Sequence, residues 1–508
     1  MNAFTPTDLS NCDREPIHTP GSIQPHGFLF VLEPATWKIL GASTNARDFF
    51  WREATALIGG NLRDVFGDDV VPALEQASAH PDFRTRALFV TTATVHVGGE
   101  TAEFTLVAHH NNEAVILEGE RAVPLPPIQN EQLLQHFLNR LESVESIAQL
   151  QQLTVSEIRR ISGFDRCLLY QFDADWNGAV IAEDRNDTLP TYLNQRFPAS
   201  DIPRQARELY RRTRFRLIPS NHYRPIPIVM NSQGGSAGAL DLSLSVLRAV
   251  SPMHLEYMRN MGTGSSMSIA VLRGSELWGL ITCHCQEPRW ISYAARAACE
   301  LITQIFALQL AAREQARELA QRVELTRIYT RLLADISHAG NLTTCANTQD
   351  LLRLGGATGA VIIEGDHLTA CGETPPTDAI KPLVDWLAQQ NRPLLFWDHL
   401  GAAFDGAKAF VASASGLLAI TISENPRRMI LWFRPELINV IEWGGEPRKA
   451  IELHGEGRTL HPRKSFETWR ETVHGHSRSW EPVVISVMNE FRQAIGAILP
   501  NIQRSNAS

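Results

Sequence analysis

The chain has no apolar run long enough to cross a bilayer, and residues 1–10 lack the basic and apolar regions of an export signal. A cytoplasmic protein that does not engage membranes is therefore expected. The seven cysteines, at 12, 167, 283, 285, 299, 345 and 371, contain no paired CxxC, which argues against a disulfide framework or a structural zinc site and leaves the thiols reduced. GxSxG, Walker and HExxH patterns are also missing, so nothing supports a hydrolase or a transferase. No short-period repeat occurs. An excess of positive charge is lacking too: the formal net charge is −8, which argues against a generic binder of nucleic acid or anionic membrane.

What is present is an ordinary folded composition, 44% hydrophobic and 20% charged, over 508 residues. Single cores rarely grow beyond roughly 250–300 residues, so several domains are expected. Residues 1–20 read as a polar, extended arm carrying Cys12. Arg14 would lower the pKa of that thiol, whereas Asp13 and Glu15 would raise it, so the neighbours alone do not decide its reactivity. From Gln24 to Val123 the strand signals FLFVL, KILGAS, ALFVTTATVHV, FTLVAHH and AVILEGE surround one short helix near Ala46–Phe50, predicting a small α+β domain closed by the proline-rich joint VPLPP. Asn130–Ile161 is predicted as one amphipathic helix, with Leu133, Phe137, Leu141, Val144, Ile147 and Leu150 on one face. A second α+β domain follows, with strands at Cys167–Phe172 and Ala179–Glu183, a long loop at Ser220–Gly238 and a helix around His254. Ser292 to about Ser337 keeps a helical period through Leu301, Ile305, Leu308, Leu319 and Val323 without a proline, predicting a coiled-coil-like spine that joins domains and pairs two copies. Residues 340–500 form a third mixed region, with an aliphatic-poor insertion at Pro435–Trp480.

Chemistry is densest in Phe197–Arg216. Pro198 and Pro203 stiffen a turn holding Asp201 just ahead of a helix that carries Arg204, Arg207, Arg211 and Arg212, with Arg214 and Arg216 beyond it. On its own this stretch fits either a rigid anion site or a capped surface helix with solvated arginines.

The stretches CDREPIHTPGSIQPHG (12–27), PASDIPRQARELY (198–210), LRAVSPMHLEYMRNMG (247–262), LWGLITCH (277–284), WFRPE (432–436), EWGG (442–445) and HPRKSF (461–466) together resemble a bacterial phytochrome over nearly the whole chain. The resemblance implies an arm (1–20), a PAS domain (21–123), a GAF domain (128–310) and a PHY domain (311–508) with a tongue hairpin at about 435–480. It further implies an arm threaded through a GAF loop, and a red/far-red photoreceptor binding biliverdin IXα rather than an enzyme. Met253 stands where plant and cyanobacterial relatives attach their bilin. The implied attachment is thus a thioether to Cys12. Arg216, Arg248, Tyr210, Ser251, Ser266 and Ser268 would clamp the propionates, and the Asp201 carbonyl and His254, through a water, would accept from the pyrrole N–H groups. His284 would donate to the D-ring carbonyl, and Tyr170, Tyr192, Phe197, Ile202 and Tyr257 would line the pocket. In the implied switch, Arg463 pairs with Asp201 in the red-absorbing state, Ser465 replaces it after tongue refolding, and Trp443 and Trp469 repack. Cys285 replaces a customary histidine, and the Cys283-His284-Cys285 run reads as buried thiols, not ligands, because adjacent strand side chains do not converge. Gln195 stands at a position where glutamine accompanies a far-red-absorbing resting state in the family. The chain reaches Ser508 without a kinase motif, so an output histidine kinase domain or a response regulator is an expected partner, beside a parallel homodimer. The alternative is a PAS/GAF sensor of haem or a cyclic nucleotide.

Overall fold

A computed structural model describes residues 15–97, 99–111, 113–122, 127–231, 240–424, 427–447, 451–454, 459–462 and 465–505. Cys12 and Arg463 lie outside the described residues. The chain forms two compact units, Met1–Ala311 with Glu442–Trp469, and Ala312–Ile441 with Arg470–Ser508.

The first unit begins with a seven-stranded sheet. Its strands are β1 (Ser22–Ile23), β2 (Gly27–Leu32), β3 (Ile39–Ser43), β4 (Leu88–Val97), β5 (Glu100–Asn111) and β6 (Ala114–Arg121), joined by a strand from far along the chain. The sequence GFLFVL makes β2 apolar on both faces. Phe28, Phe30 and Leu32 enter a core with Phe50, Phe66 and Phe104, whereas Leu29 and Val31 enter a second cluster with Ile116, Leu242 and Leu247. Burying such a side chain contributes about 1.5–3 kcal/mol, so both clusters stabilise the strand. Residues 44–84 add four short helices and a 3₁₀ turn where the sequence pattern predicts a single helix. The elements are only four to nine residues long, too short to carry a legible helical period.

The single helix expected over 130–161 is two. One runs Pro127–Leu141 and the other Ile147–Ser162, broken where Ser146 caps the second. The Ser146 hydroxyl accepts from Gln149 N–H at 3.1 Å, while Gln149 Oε1 accepts from Ser146 N–H at 3.0 Å. This reciprocal box satisfies two backbone donors that a continuous helix would have kept internal.

The next sheet is built from β7 (Arg166–Phe172), β8 (Gly178–Arg185), β9 (Arg196–Phe197), β10 (Phe215–Ile218), β12 (Ser265–Arg273) and β13 (Glu276–Cys285), in the order β10-β12-β13-β7-β8-β9. Its back packs on the two helices through Leu150, Ile158, Leu169, Met267 and Ile281, and the thiols Cys167, Cys283 and Cys299 are buried there. The loop expected at 220–238 contains a strand, β11 (Ile226–Met230), which pairs antiparallel with both β1 and β3 of the first sheet. A tongue segment belongs to the same unit: Trp443 pairs in parallel with Arg196, and Ile451–His454 forms a hairpin with Thr459–Pro462.

A helix of 47 residues, Tyr293–Ala339, gives its first residues to this unit and the rest to the second. The second unit carries a five-stranded sheet of Gly359–Glu364, His367–Gly372, Leu394–Trp397, Gly416–Glu424 and Arg427–Arg434. It is packed on one face by Leu332, Ile336, Val487 and Phe491, and on the other by Ile380, Leu383 and Phe410. No helix among the described residues is long and apolar enough to cross a membrane.

Candidate functional site: a tyrosine- and arginine-lined cavity

A cavity of about 260 Å³ lies in the first unit, on the face of the β10–β9 sheet opposite its two helices. It collects Tyr170, Tyr192, Phe197, Asp201, Ile202, Tyr210, Arg216, Arg248, Ser251, His254, Tyr257, Ser266, Ser268 and His284. Each is delivered by a local feature. Ser266 and Ser268 alternate with apolar residues on β12, so both face inward. Pro198 opens a 3₁₀ turn, Ala199–Asp201, from which the helix Arg204–Arg212 starts at Pro203. Pro252 at the first turn of the helix Pro252–Asn260 sets Ser251, His254 and Tyr257 on one side. Tyr170 stands where it does because Gly178 has no side chain; a Cβ there would sit 1.6 Å from the phenol ring.

The clamp end is defined by two guanidiniums. Arg216 Nη2 donates to the Arg248 carbonyl at 2.6 Å and the Ala249 carbonyl at 3.3 Å. Arg248 Nη1 donates to the carbonyls of Ser243 at 3.1 Å and Leu242 at 3.3 Å. Among the described residues neither arginine forms an ion pair. Burial and then the neighbouring Arg216 push Arg248 down to about 9. Burial raises the Tyr210 phenol, against a hydrogen bond with Ser268 that lowers it. Two like charges without an ion-pair partner among the described residues are costly to bury, and an anion would offset that cost.

At the other end, Arg166 is fully buried in β7, with its guanidinium 4.0 Å from the Tyr192 ring centre, and Nη1 donates to the Pro190 carbonyl. Its Nη2 lies 3.1 Å from His284 Nδ1. Arginine can only donate, so Nδ1 accepts and the His284 proton resides on Nε2. Burial, then Arg166 and His254, hold His284 well below the usual range. Burial and Arg216 push His254 down to about 4, although its ring surface is bared to the cavity, where solvent screens it. The Tyr257 hydroxyl donates to Asp201 Oδ2 at 2.9 Å.

The tongue reaches this wall through Pro462, which lines the cavity, and Phe466, set edge-on to Tyr257 at 5.1 Å. Gln195 Nε2 donates to Thr468 Oγ1 at 2.9 Å. Trp443 is buried beside β9, Trp469 is half-buried and Ser465 is exposed; none of the three lines the cavity. The arm arrives as well: Glu15 and Ile17 form part of the lining, and Ser251 Oγ donates to Glu15 Oε2 at 2.9 Å. Sequence reasoning overlooked Arg166, Glu15, Phe466 and the Gln195–Thr468 link. Arg211 and Arg212 of the arginine-rich helix point to Glu208 and Glu276 instead of the cavity. No group of metal ligands occurs among the described residues, and Cys283 and Cys285 are buried thiols.

Buried histidines give a pH prediction. His26 is pushed to about 4 and His109 to about 3, chiefly by burial, and His284 is lowered as well. A depressed imidazole binds fewer protons folded than unfolded, so stability is present above pH 6.5 and is lost as pH falls toward 4. Each contributes about 1.4 kcal/mol per pH unit within that window. Glu118, raised to about 7 by burial, opposes them with one group against three. Thermal melts of the pigment-free chain should show a lower midpoint at pH 5 than at pH 7; equal midpoints would contradict the assignment.

Comparison with known proteins agrees with this architecture. Family models match as PAS fold over residues 12–122, GAF domain over 146–313 and Phytochrome region over 325–504. A bacteriophytochrome of Xanthomonas campestris pv. campestris is 32% identical, over 97% of this chain and 79% of its own length. Cyanobacterial phytochrome B of Nostoc sp. is 36% identical over 97% of this chain, which spans only 66% of that relative. The crystal structure of a bacteriophytochrome from the photosynthetic bacterium R. palustris superposes with a TM-score of 0.85 at 37% identity, covering 97% of this chain and 99% of the other. The Stigmatella aurantiaca phytochrome photosensory core module superposes at 0.82 and 36% identity, covering 98% and 99%. These define a PAS-GAF-PHY photosensory core. The chain belongs to the phytochrome photoreceptor family.

Proposed function

We propose that the chain is a red/far-red photoreceptor that holds biliverdin IXα in the tyrosine- and arginine-lined cavity, linked by a thioether to Cys12, and signals through its tongue. The observation that carries this reading is the pair of cavity arginines, Arg216 and Arg248, whose hydrogen-bond acceptors among the described residues are backbone carbonyls. Two propionates would complete them, with Tyr210, Ser266 and Ser268 as further donors. Glu15 lies at the cavity wall, and three residues span at most about 11 Å, so Cys12 is within reach of the same space.

The pigment supplies light absorption and Z/E isomerisation of its D ring. The chain's residues do the rest. His284, its tautomer set by Arg166, presents Nε2–H as a donor for the D-ring carbonyl. The Asp201 carbonyl and His254 serve as acceptors at the pyrroles. Tyr170, Tyr192 and Phe197 confine the ring, while Tyr257 and Arg463 tie Asp201 to the tongue, with Ser465 taking over when the tongue refolds. Trp443 and Trp469 offer alternative packing. Leu301, Leu308, Leu319 and Val323 are exposed along the 293–339 helix, which supports a parallel homodimer. In this reading the core is cytoplasmic and not itself an enzyme, and it passes its signal to an output kinase domain or a response regulator.

Mixing purified chain with biliverdin should give a green holoprotein whose spectrum toggles under red and far-red light. A colourless mixture, or colour that light does not change, would sink the reading in favour of another ligand such as haem or a cyclic nucleotide. Cys12→Ser should leave pigment that separates from the chain on denaturation, seen as loss of zinc-induced fluorescence on a denaturing gel. Pigment still bound covalently would point to another attachment atom.

A further inference from the structure

A second cavity, of about 420 Å³, opens in the same unit and shares no lining residue with the first. Its wall is made by Arg84 and Thr85 at the end of a 3₁₀ turn, the end of β5 (His109, His110, Asn111), Arg211 and Arg212 from the end of the 204–212 helix, and Asp241, Ser243 and Leu244. His109 is only 1% exposed, and among the described residues neither of its ring nitrogens has a hydrogen-bond partner. Burial keeps that ring neutral, so it offers one donor and one acceptor, both unmet. His110 Nδ1 and Arg211 Nε are likewise buried without a partner.

The charges are unevenly used. Arg211 is held by Glu276 at 2.6 Å and Glu208 at 3.6 Å. Among the described residues Arg212 pairs only with Glu208, at 3.9 Å, and Arg84 forms no ion pair. The Asp241 carboxylate is occupied on one oxygen by Ser243, through N–H at 2.8 Å and Oγ–H at 2.6 Å. The cavity therefore combines two loosely held guanidiniums with a buried imidazole that wants both a donor and an acceptor. A bare carboxylate or halide would use the first feature and leave the second idle.

We propose that this cavity binds a small phosphomonoester with a hydroxylated body, its phosphate on Arg84 and Arg212 and a hydroxyl on His109. A phosphomonoester is close to dianionic at neutral pH and presents oxygens to two forks at once, and a hydroxyl both donates to and accepts from one imidazole. The Ser243 carbonyl, one residue group of this wall, also accepts from Arg248 and Thr213, so the site abuts the arginine clamp of the first cavity.

The test is calorimetric titration of the pigment-free full chain, which makes it independent of whether biliverdin binds. Glucose 6-phosphate, inorganic phosphate and glucose are the probes. Glucose 6-phosphate is expected to bind at least tenfold more tightly than inorganic phosphate, and glucose to give no heat. Arg84→Ala, at an exposed residue, and His109→Leu should each weaken glucose 6-phosphate binding at least tenfold, with circular dichroism and the melting midpoint reporting an intact fold. No binding by about 10 mM, or unchanged affinity in Arg84→Ala, overturns the proposal. Equal affinity for inorganic phosphate and glucose 6-phosphate overturns the role given to His109.

Discussion

Arg248→Ala should lower the affinity for biliverdin by roughly 30-fold to several thousandfold, the equivalent of about 2–5 kcal/mol for truncating one partner of a buried, hydrogen-bonded charge pair. Arg248 is 7% exposed, and among the described residues its guanidinium is anchored only to the carbonyls of Leu242 and Ser243. Without pigment it is a burdened charge, pushed down by burial and by Arg216. Its removal should therefore cost the pigment-free chain little, because the lost carbonyl bonds are offset by relief of like-charge repulsion. The expected pattern is a melting midpoint within a few degrees of the parent together with a large loss in fluorescence-quench titrations with biliverdin. Arg248→Lys keeps the charge but not the fork and should fall between the two. Unchanged affinity in Arg248→Ala would remove the propionate clamp from the proposal.

The second large effect concerns the tongue. If Arg463 pairs with Asp201 in the red-absorbing form, Arg463→Ala removes about 3–5 kcal/mol from that form alone. The dark equilibrium should then move toward the photoproduct by at least about a hundredfold. Spectra taken after prolonged dark adaptation would read this directly. Tyr257 donates to the same carboxylate and packs on Phe466, so the contact retains part of its hold without the guanidinium. A photocycle and dark equilibrium identical to the parent's would leave the acid–guanidinium latch without a role.

The fold was legible in the sequence wherever alternation reports burial directly. FTLVAHH becomes a strand because Phe104, Leu106 and Ala108 enter a core on one face, and FLFVL and GLLAITIS because both of their faces are buried. It was illegible where two structures share one period. The apolar stripe from Leu133 to Leu150 runs through the break at Ser146, and only the Ser146–Gln149 pair, a readable capping box, marks the interruption. β11 was hidden by Pro227, which argues against a strand interior, yet that proline lends its carbonyl to Thr44 N–H and needs no donor of its own there. The cavity residues were reached through family motifs; their types alone would have fitted an ordinary core. Arg166 was missed because a charged residue opening an apolar strand reads as an edge, not as a buried guanidinium orienting His284. The Gln195–Thr468 bond joins residues 273 positions apart, which no local pattern encodes.

The placement of β11 bears on how the molecule can be shortened. Its backbone is satisfied on one side by Ser22 and Ile23 and on the other by Gly41, Ala42 and Ser43, although the strand itself is covalently part of the pigment-holding half. A fragment trimmed to begin at residue 128 would strip both neighbours away at once and bare a ribbon of Ile226, Ile228 and Val229, the sort of surface that recruits further copies into aggregates. A shortened fragment of this chain would accordingly need to keep the leading hundred or so residues, which cover β11 and also bring Glu15 and Ile17 to the cavity wall.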